Sequence, residues 1–128
     1  MPIDSRTAFR QSVIVALQTT ESWGLSDEQT GALLGGIDAA QLNILREKVA
    51  IGSLDLQDDH QHLFRRAVLI ETIGDSLHTL FSDDAQANGW IQRPNTGPGF
   101  EGRPALALML SGLDGLDYVC RYLKGSTA

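Results

Sequence analysis

Apolar residues recur every three or four positions between Leu63 and Leu80, a spacing that predicts one long helix. The repeating positions are Leu63, Ala67, Ile70, Ile73, Leu77 and Leu80, and Phe64, Val68, Leu69 and Phe81 add to them. A helix that is apolar on more than one side has to bury two surfaces. We therefore expect a central helix from Asp58 to Phe81, begun by Asp58 or Asp59, that organises the core and offers a homodimer contact.

The remaining segments also favour helices. Runs of β-branched residues are scarce and aromatic residues make up 6% of the 128, so little in the chain favours a sheet. The hydrophobic content of 42% is enough for a core. No apolar run approaches the roughly 20 residues that a membrane helix needs, and the polar start is unlike a signal peptide. The sequence predicts an all-α protein of the cytoplasm, without a membrane contact.

Two capping patterns divide the segment before the central helix. Ser26 with Gln29, and Asp38 with Gln41, have the spacing of a capping box, in which each side chain satisfies a backbone donor beside the other. Gly35–Gly36 separates the two helices that these residues begin. Two short helices joined by a turn that contains glycine are typical of a helix-turn-helix.

Glycine and serine at positions 52 and 53 mark a hinge between two predicted domains. Residues 1–56 form the first, which opens with a helix that begins after Asp4 or Ser5. Residues 57–128 form the second, which contains the central helix and then a smaller helical domain.

The C-terminal stretch, residues 89–125, reads GWIQRPNTGPGFEGRPALALMLSGLDGLDYVCRYLKG. Residues 91–93 are predicted to be extended. Pro94–Asn95 then begins an irregular, glycine-rich loop that lasts until Arg103. The loop leads into the last two helices of the chain.

These two helices are short. Pro104 suits the first position of one, which Ser111–Gly112 ends. Asp114 is expected to cap the other, and Gly125 to end it. Their apolar residues at helical spacing are Leu106, Leu108, Met109, Leu110, Leu116, Val119, Tyr122 and Leu123. Helices of this length are marginal in water, so they must lean on each other, on the rest of the chain or on a partner.

The order of residues in this stretch resembles the toxin-binding domain of the Xre/MbcA/ParS antitoxin family. The resemblance is carried by Trp90, Pro94–Asn95, Phe100, Gly102–Arg103, Leu106 and Arg121–Tyr122–Leu123. The triplet Arg103–Pro104–Ala105 and the short tail after Gly125 differ from many relatives. The resemblance covers about three dozen residues in the family's order.

This resemblance implies an antitoxin that binds and neutralises a RES-domain toxin, encoded nearby, which degrades NAD or uses it for ADP-ribosylation. The closing helix and tail would cover the toxin's NAD pocket, with Tyr122 and Lys124 on an exposed helix end. Aromatic side chains dominate the energetics of interfaces, and basic side chains could pair with acidic groups on a partner. The candidate toxin-binding residues are Trp90, Asn95, Phe100, Arg103, Tyr118, Arg121, Tyr122 and Lys124.

A structural interpretation of the same residues stays open. Trp90 could anchor the loop to the core instead of meeting a partner. Arg121 and Lys124 could be a solvated helix end whose charge complements the helix dipole.

The helix-turn-helix pattern of residues 25–49, LSDEQTGALLGGIDAAQLNILREKV, resembles the N-terminal domain of the same family. By that resemblance Asp38–Val49 is a recognition helix for operator DNA, and the protein represses its own operon. The DNA-binding residues would be Gln41, Asn43, Arg46 and Lys48. Charge weighs against this, because residues 1–56 hold four basic and seven acidic side chains and the whole chain has a net charge of −6. A three-helix structural module, and a transcriptional regulator without a toxin, are the alternatives.

Few residues could perform chemistry. His60 and His62 stand two apart, so on a helix they point in different directions and cannot share a metal ion. Cys120 is alone on an apolar helix with no predicted base beside it, and the loop glycines lack a phosphate-binding spacing. We therefore expect a binding module, with no catalytic residues, cofactor or metal.

Overall fold

The protein is described by a computed structural model that covers residues 5–54 and 61–127. Within these ranges the chain forms seven α-helices and one short 3₁₀ segment, and no strand. The α-helices are α1 (Ser5–Ser22), α2 (Asp27–Leu33), α3 (Ala39–Ala50), α4 (Gln61–Leu80), α5 (Asp84–Gly89), α6 (Ala105–Leu110) and α7 (Leu113–Thr127), and the 3₁₀ segment is Trp90–Gln92. The predicted all-α class is confirmed.

Helix α4 lies at the centre of the fold. Its repeating residues Ala67, Ile70, Ile73 and Leu77 are buried. Both α1 and α7 pack along α4, and between them they cover its apolar sides. The ring of Phe64 packs edge to face against the ring of Phe9 in α1, with 5.5 Å between the two centroids. This covering uses the two apolar surfaces that the sequence pattern predicts.

Helices α1 and α7 of the same chain bury most of the apolar surface of α4 from which we predicted a dimer contact. Of its large apolar side chains, Val68 and Leu80 remain exposed. The helix ends at Leu80, one residue before the predicted Phe81. Its predicted beginning at Asp58 or Asp59 lies outside the described residues. The homodimer itself stays a prediction.

Capping boxes begin α2 and α3, as predicted. The backbone N–H of Gln29 donates to Ser26 Oγ at 3.1 Å, and that of Ser26 donates to Gln29 Oε1 at 3.0 Å. Asp38 and Gln41 form the same pair of bonds at 2.8 and 3.1 Å. Each box satisfies two backbone donors that a helix start otherwise leaves without a partner.

The N-terminal and C-terminal segments share one hydrophobic core. Arg10 of α1 donates from Nε to the carbonyl oxygen of Leu54 at 2.6 Å. Gln92 donates from Nε2 to the carbonyl oxygen of Trp23 at 2.7 Å, which ties the 3₁₀ segment to the end of α1. Residues 56 and 57, the predicted domain boundary, lie outside the described part, so that boundary stays a prediction.

Residues 91–93 are not an extended segment. Trp90–Gln92 forms a 3₁₀ turn, and only Arg93 has extended backbone. The reason is tertiary: Ile91 is fully buried, and a tight turn directly after α5 carries its side chain into the core. Burial of a large apolar side chain contributes about 1.5–3 kcal/mol, which outweighs a weak local preference.

The ends of the last two helices also differ from the prediction by small shifts. Pro104 precedes the first residue of α6 rather than occupying it. Helix α7 begins at Leu113, so Asp114 lies in its first turn instead of capping it. Gly125 does not end α7, which continues to Thr127, and Ser126 Oγ donates to the carbonyl oxygen of Tyr122 at 3.1 Å in this last turn. An interior glycine costs a helix only about 1 kcal/mol.

Candidate functional site

The loop between the 3₁₀ segment and α6 is held in shape by its own hydrogen bonds. Pro94 and Pro104 face each other in an isolated antiparallel bridge at its base. The N–H of Asn95 donates to the carbonyl oxygen of Arg103 at 3.3 Å, and that of Gly102 donates back to Asn95 at 2.9 Å. These bonds satisfy backbone groups that an irregular segment would otherwise expose.

Asn95 also shapes the loop with its side chain. Its Oδ1 accepts a hydrogen bond from the N–H of Gly97 at 2.7 Å. This is the asparagine-based turn in which a side chain replaces a backbone acceptor. The carbonyl oxygen of Gly97 then accepts from the N–H of Phe100 at 3.1 Å. The side-chain oxygen of Asn95 thus helps to hold the loop in shape.

Four rings, which we call the aromatic cluster, fasten the loop to α7: Trp90, Phe100, Tyr118 and Tyr122. Phe100 lies in its middle with 0% exposure. Its ring meets those of Trp90, Tyr118 and Tyr122 at centroid distances of 6.2, 5.8 and 5.0 Å, each edge to face. Trp90 stacks on Tyr122 at 6.3 Å. Edge-to-face and offset stacked pairs each add about 0.5–1.5 kcal/mol beyond burial.

Two glycines let the loop lie directly on the tyrosines of α7. A Cβ on Gly99 would stand 2.5 Å from the Tyr118 hydroxyl oxygen, and its φ of +87° is strained for other residues. A Cβ on Gly97 would stand 2.8 Å from the Tyr122 hydroxyl oxygen. The Tyr118 hydroxyl in turn donates to the carbonyl oxygen of Pro98. The loop and α7 therefore form one rigid surface.

The structure assigns different positions to the predicted toxin-binding residues. Phe100 is enclosed, so any effect on a partner would come through the loop that it holds. Tyr122 is half-buried between Trp90 and Phe100, which corrects the expectation that it belongs to an exposed helix end. A nonlocal contact with the loop decides its burial. Trp90 and Tyr118 are half-buried as well.

The basic residues lie outside the aromatic cluster, on the surface. Arg121 is 72% exposed in its side chain and pairs with Asp117, one turn earlier, at 2.9 Å. Lys124 and Arg103 are exposed. Arg93, another cation of this region, donates from Nη2 to the carbonyl oxygen of Gln86 at 2.9 Å. The charged side chains that a partner can reach thus surround a rigid aromatic interior.

Cys120 faces inward from α7 and is 4% exposed. Its burial raises the pKa of the thiol, an effect that the neighbouring positive charge of Lys124 partly offsets. A thiol with a raised pKa stays protonated near neutral pH and is a poor nucleophile. This burial agrees with the position of Cys120 on an apolar helix in the sequence.

The predicted DNA-binding residues are all exposed on α3, and two of them have partners inside the chain. Arg46 Nη1 lies 3.0 Å from Asp27 Oδ1 of α2. Gln41 uses its oxygen in the capping box with Asp38. Asn43 and Lys48 point outward. The positive charge of Arg46 is therefore partly neutralised by Asp27, and the exposed surface of α3 is less basic than Arg46 and Lys48 alone would make it.

Sequence reasoning missed the residues that join the loop to its support. Pro98 accepts from Tyr118, and Gln92 reaches across to Trp23. A signal for the first was present, since glycine stands at positions 97 and 99 on either side of Pro98, where close approach to a ring excludes any Cβ. No sequence signal pointed to the bond between Gln92 and Trp23, because the two residues are 69 positions apart.

Within residues 5–54 and 61–127, no group of three or more histidine, cysteine, aspartate or glutamate side chains is placed to hold a metal ion. In the same ranges, no helix has the length and apolar character to cross a membrane. His62 is exposed, and His60 lies outside the described residues.

Residues 76–125 match the sequence model of a family described as the antitoxin Xre/MbcA/ParS C-terminal toxin-binding domain. The match runs from the last turn of α4 to the last turn of α7, so it contains the whole loop and all four rings of the aromatic cluster. Among curated proteins, none matches the chain in sequence. The predicted resemblance is thereby confirmed for this part of the chain: residues 76–125 carry the C-terminal toxin-binding domain of the Xre/MbcA/ParS antitoxin family.

Proposed function

We propose that this antitoxin neutralises a RES-domain, NAD-consuming or ADP-ribosylating toxin, encoded nearby, in the cytoplasm. The observation that carries the proposal is the placement of the family's toxin-binding domain on a loop and helix that are locked together by the aromatic cluster. A surface that needs no rearrangement loses little conformational entropy on binding. Such a surface suits an inhibitor that has to stay bound.

In this proposal the end of α7 and the adjoining loop cover the mouth of the toxin's NAD pocket. Occlusion is steric and needs no chemistry from the antitoxin. Arg121, Lys124 and Arg103 form an exposed basic rim that would pair with acidic groups on the toxin. The aromatic cluster supplies stiffness rather than contact area, because its central ring is enclosed.

Reversing the charge of the rim should weaken toxin binding and leave the fold intact. Arg121→Glu, alone and with Lys124→Glu, is expected to lower toxin affinity at least about tenfold and to abolish protection in a toxin growth assay. The ion pair of Arg121 with Asp117 is exposed and lies within one helix, so it is worth at most about 0.5 kcal/mol. Thermal melts should therefore stay close to those of the unchanged protein.

The matched control is Arg65→Glu, an exposed arginine on α4 that lies before the matched domain. It changes the net charge by the same amount as Arg121→Glu. Equal loss of protection in both variants would show a general charge effect and remove the rim from the proposal. Full protection by the Arg121/Lys124 variant would do so as well.

Operator binding by α3, with repression of the chain's own operon, is the second candidate function. It is favoured by the two capped helices α2 and α3 and by the exposure of Gln41, Asn43, Arg46 and Lys48. Replacing Arg46 and Lys48 by alanine should weaken binding to a duplex from the upstream region. Removing one phosphate contact should flatten the log–log dependence of binding on salt by about 0.9. An unchanged slope would place any DNA contact elsewhere.

A further inference from the structure

A groove of about 370 Å³ lies between the end of α2, helix α3 and the start of α4. The described residues that line it all precede residue 64, so it lies outside the matched toxin-binding domain of residues 76–125. Small organic molecules bind in protein sites of about 300–1,000 Å³, so the groove is large enough for a ligand. Most of its lining is apolar: Leu34, Ile37, Ile44, Leu45, Leu54 and Leu63.

The ionisable side chains that line this groove favour an anion. Lys48 of α3 and His62 of α4 approach it from two different helices, and both are exposed. Lysine carries a positive charge, and an imidazole donates a hydrogen bond in either protonation state. No acidic side chain is among the described residues of the lining. On a chain with a net charge of −6, this is a local surface that attracts negative charge.

Arg66 adds a permanent positive charge beside the groove. It stands one turn after His62 on α4, and a Cβ built on Gly35, a lining residue, would lie 3.4 Å from its Nε. This Nε is buried and has no hydrogen-bond partner in the part of the chain that the structure describes. A guanidinium that is partly shielded from water and left unpaired is stabilised by a nearby anion.

We propose that this groove binds a monoanionic amphiphile, a carboxylate with an unbranched alkyl chain of about eight to ten carbons. The alkyl chain lies against the apolar lining, and the carboxylate lies between Lys48 and His62, close to the charge of Arg66. The volume sets the length, because at roughly 30 Å³ for each water-sized group, 370 Å³ holds about a dozen non-hydrogen atoms. Decanoate has a size of that order.

A bare anion or a DNA phosphate fits the same groove less well. Either would use the positive charges, but neither would cover the apolar side chains that form most of the lining. An amphiphile gains from both, since burial of its methylene groups adds to the attraction of its carboxylate. The proposal rests on the groove alone and is independent of the proposed toxin and operator contacts.

Isothermal titration of the full chain with octanoate, decanoate and dodecanoate, each below its micelle concentration, tests the apolar part of the site. Affinity should rise about fourfold for each added methylene up to decanoate, because one buried methylene contributes about 0.8 kcal/mol. It should level off beyond decanoate, when the groove is full. Decanol should bind at least about tenfold more weakly than decanoate, and decyltrimethylammonium should not bind.

Variants test the charged part. Lys48→Gln and Arg66→Gln should each weaken decanoate binding at least about fivefold, since each removes a cation next to the carboxylate. Arg65→Gln is the matched control, because Arg65 is the neighbouring arginine on α4, is exposed and is not among the residues that line the groove. It should leave the affinity unchanged. Thermal melts check the fold, and the exposed Lys48 carries the test if Arg66→Gln unfolds the chain.

Three results would overturn the proposal. The first is no binding of decanoate, or binding of decanol with equal affinity. The second is inorganic phosphate that binds as tightly as decanoate, since the groove would then be a site for a bare anion. The third is an equal loss of affinity in Arg65→Gln and in the two groove variants, which would show a general effect of net charge.

Discussion

Replacing Phe100 with alanine should lower the free energy of unfolding by about 3–5 kcal/mol, the usual cost of removing an enclosed aromatic ring. Phe100 contacts the other three rings of the aromatic cluster and is fully buried. The substitution would remove the contacts that hold the loop against α7, and it would also uncover Tyr118 and Tyr122 of that helix. Urea unfolding followed by circular dichroism gives the size of the loss. Toxin neutralisation should be lost in the same variant.

Phe100→Leu is the companion variant, because it keeps an apolar side chain in the middle of the cluster. It should retain more stability than Phe100→Ala, although the edge-to-face contacts are gone. A loss below about 1 kcal/mol for Phe100→Ala would mean that the ring does not anchor the loop. The loop and α7 would then not form a rigid unit, even if the variant still bound the toxin.

Gly99→Ala should break the contact between the loop and Tyr118 of α7. The new methyl group would stand 2.5 Å from the hydroxyl oxygen of Tyr118 and 2.7 Å from its ring carbon Cζ. Either the loop or Tyr118 has to move, and the hydrogen bond from Tyr118 to Pro98 goes with it. We expect a loss of about 2 kcal/mol or more, and weaker neutralisation.

Gly102→Ala is the matched control for Gly99→Ala. Gly102 has a similar φ of +81°, but a Cβ built on it meets nothing within 4 Å. Both variants share the strain of an L-residue in the left-handed region, about 1–2 kcal/mol. The difference between the two unfolding free energies therefore isolates the contact with Tyr118. Equal losses, measured by urea unfolding, would show that backbone strain alone explains the glycines.

Local rules were enough to predict the parts of the fold whose causes lie close in sequence. The capping boxes at Ser26 and Asp38 form with the predicted partners. Four of the six repeating apolar residues of α4 are buried as their spacing predicts: Ala67, Ile70, Ile73 and Leu77. In both cases a few neighbouring residues contain the whole physical reason.

The errors arose where a distant contact decides a local feature. Ile91 turns into the core instead of extending, because its burial needs a tight turn after α5. Tyr122 is half-buried because Trp90 of the 3₁₀ segment and Phe100 of the loop, both more than twenty residues earlier in the chain, pack against it. The dimer contact on α4 stays a prediction, but α1 and α7 cover much of the apolar surface on which it was based. Spacing within one helix cannot reveal such partners.

The sequence was enough to predict which residues belong to the candidate site. It was not enough to predict which of them are buried and which are exposed to a partner. Sequence resemblance named the aromatic and basic residues of the C-terminal domain as one set. The structure separates them into an enclosed scaffold around Phe100 and an exposed rim that includes Arg121 and Lys124. Substitutions in the scaffold should therefore reduce stability and neutralisation together, whereas substitutions in the rim should reduce neutralisation alone.

The most direct measurement is the rate at which the proposed partner, a RES-domain toxin encoded nearby, consumes NAD when it is titrated with this protein at several NAD concentrations. We predict inhibition that saturates on complex formation, that high NAD relieves, and that Arg121→Glu with Lys124→Glu shifts to at least about tenfold higher antitoxin concentration. Inhibition that NAD does not affect, and that the rim variant produces as well as the unchanged protein, would contradict the covering of the NAD pocket by α7.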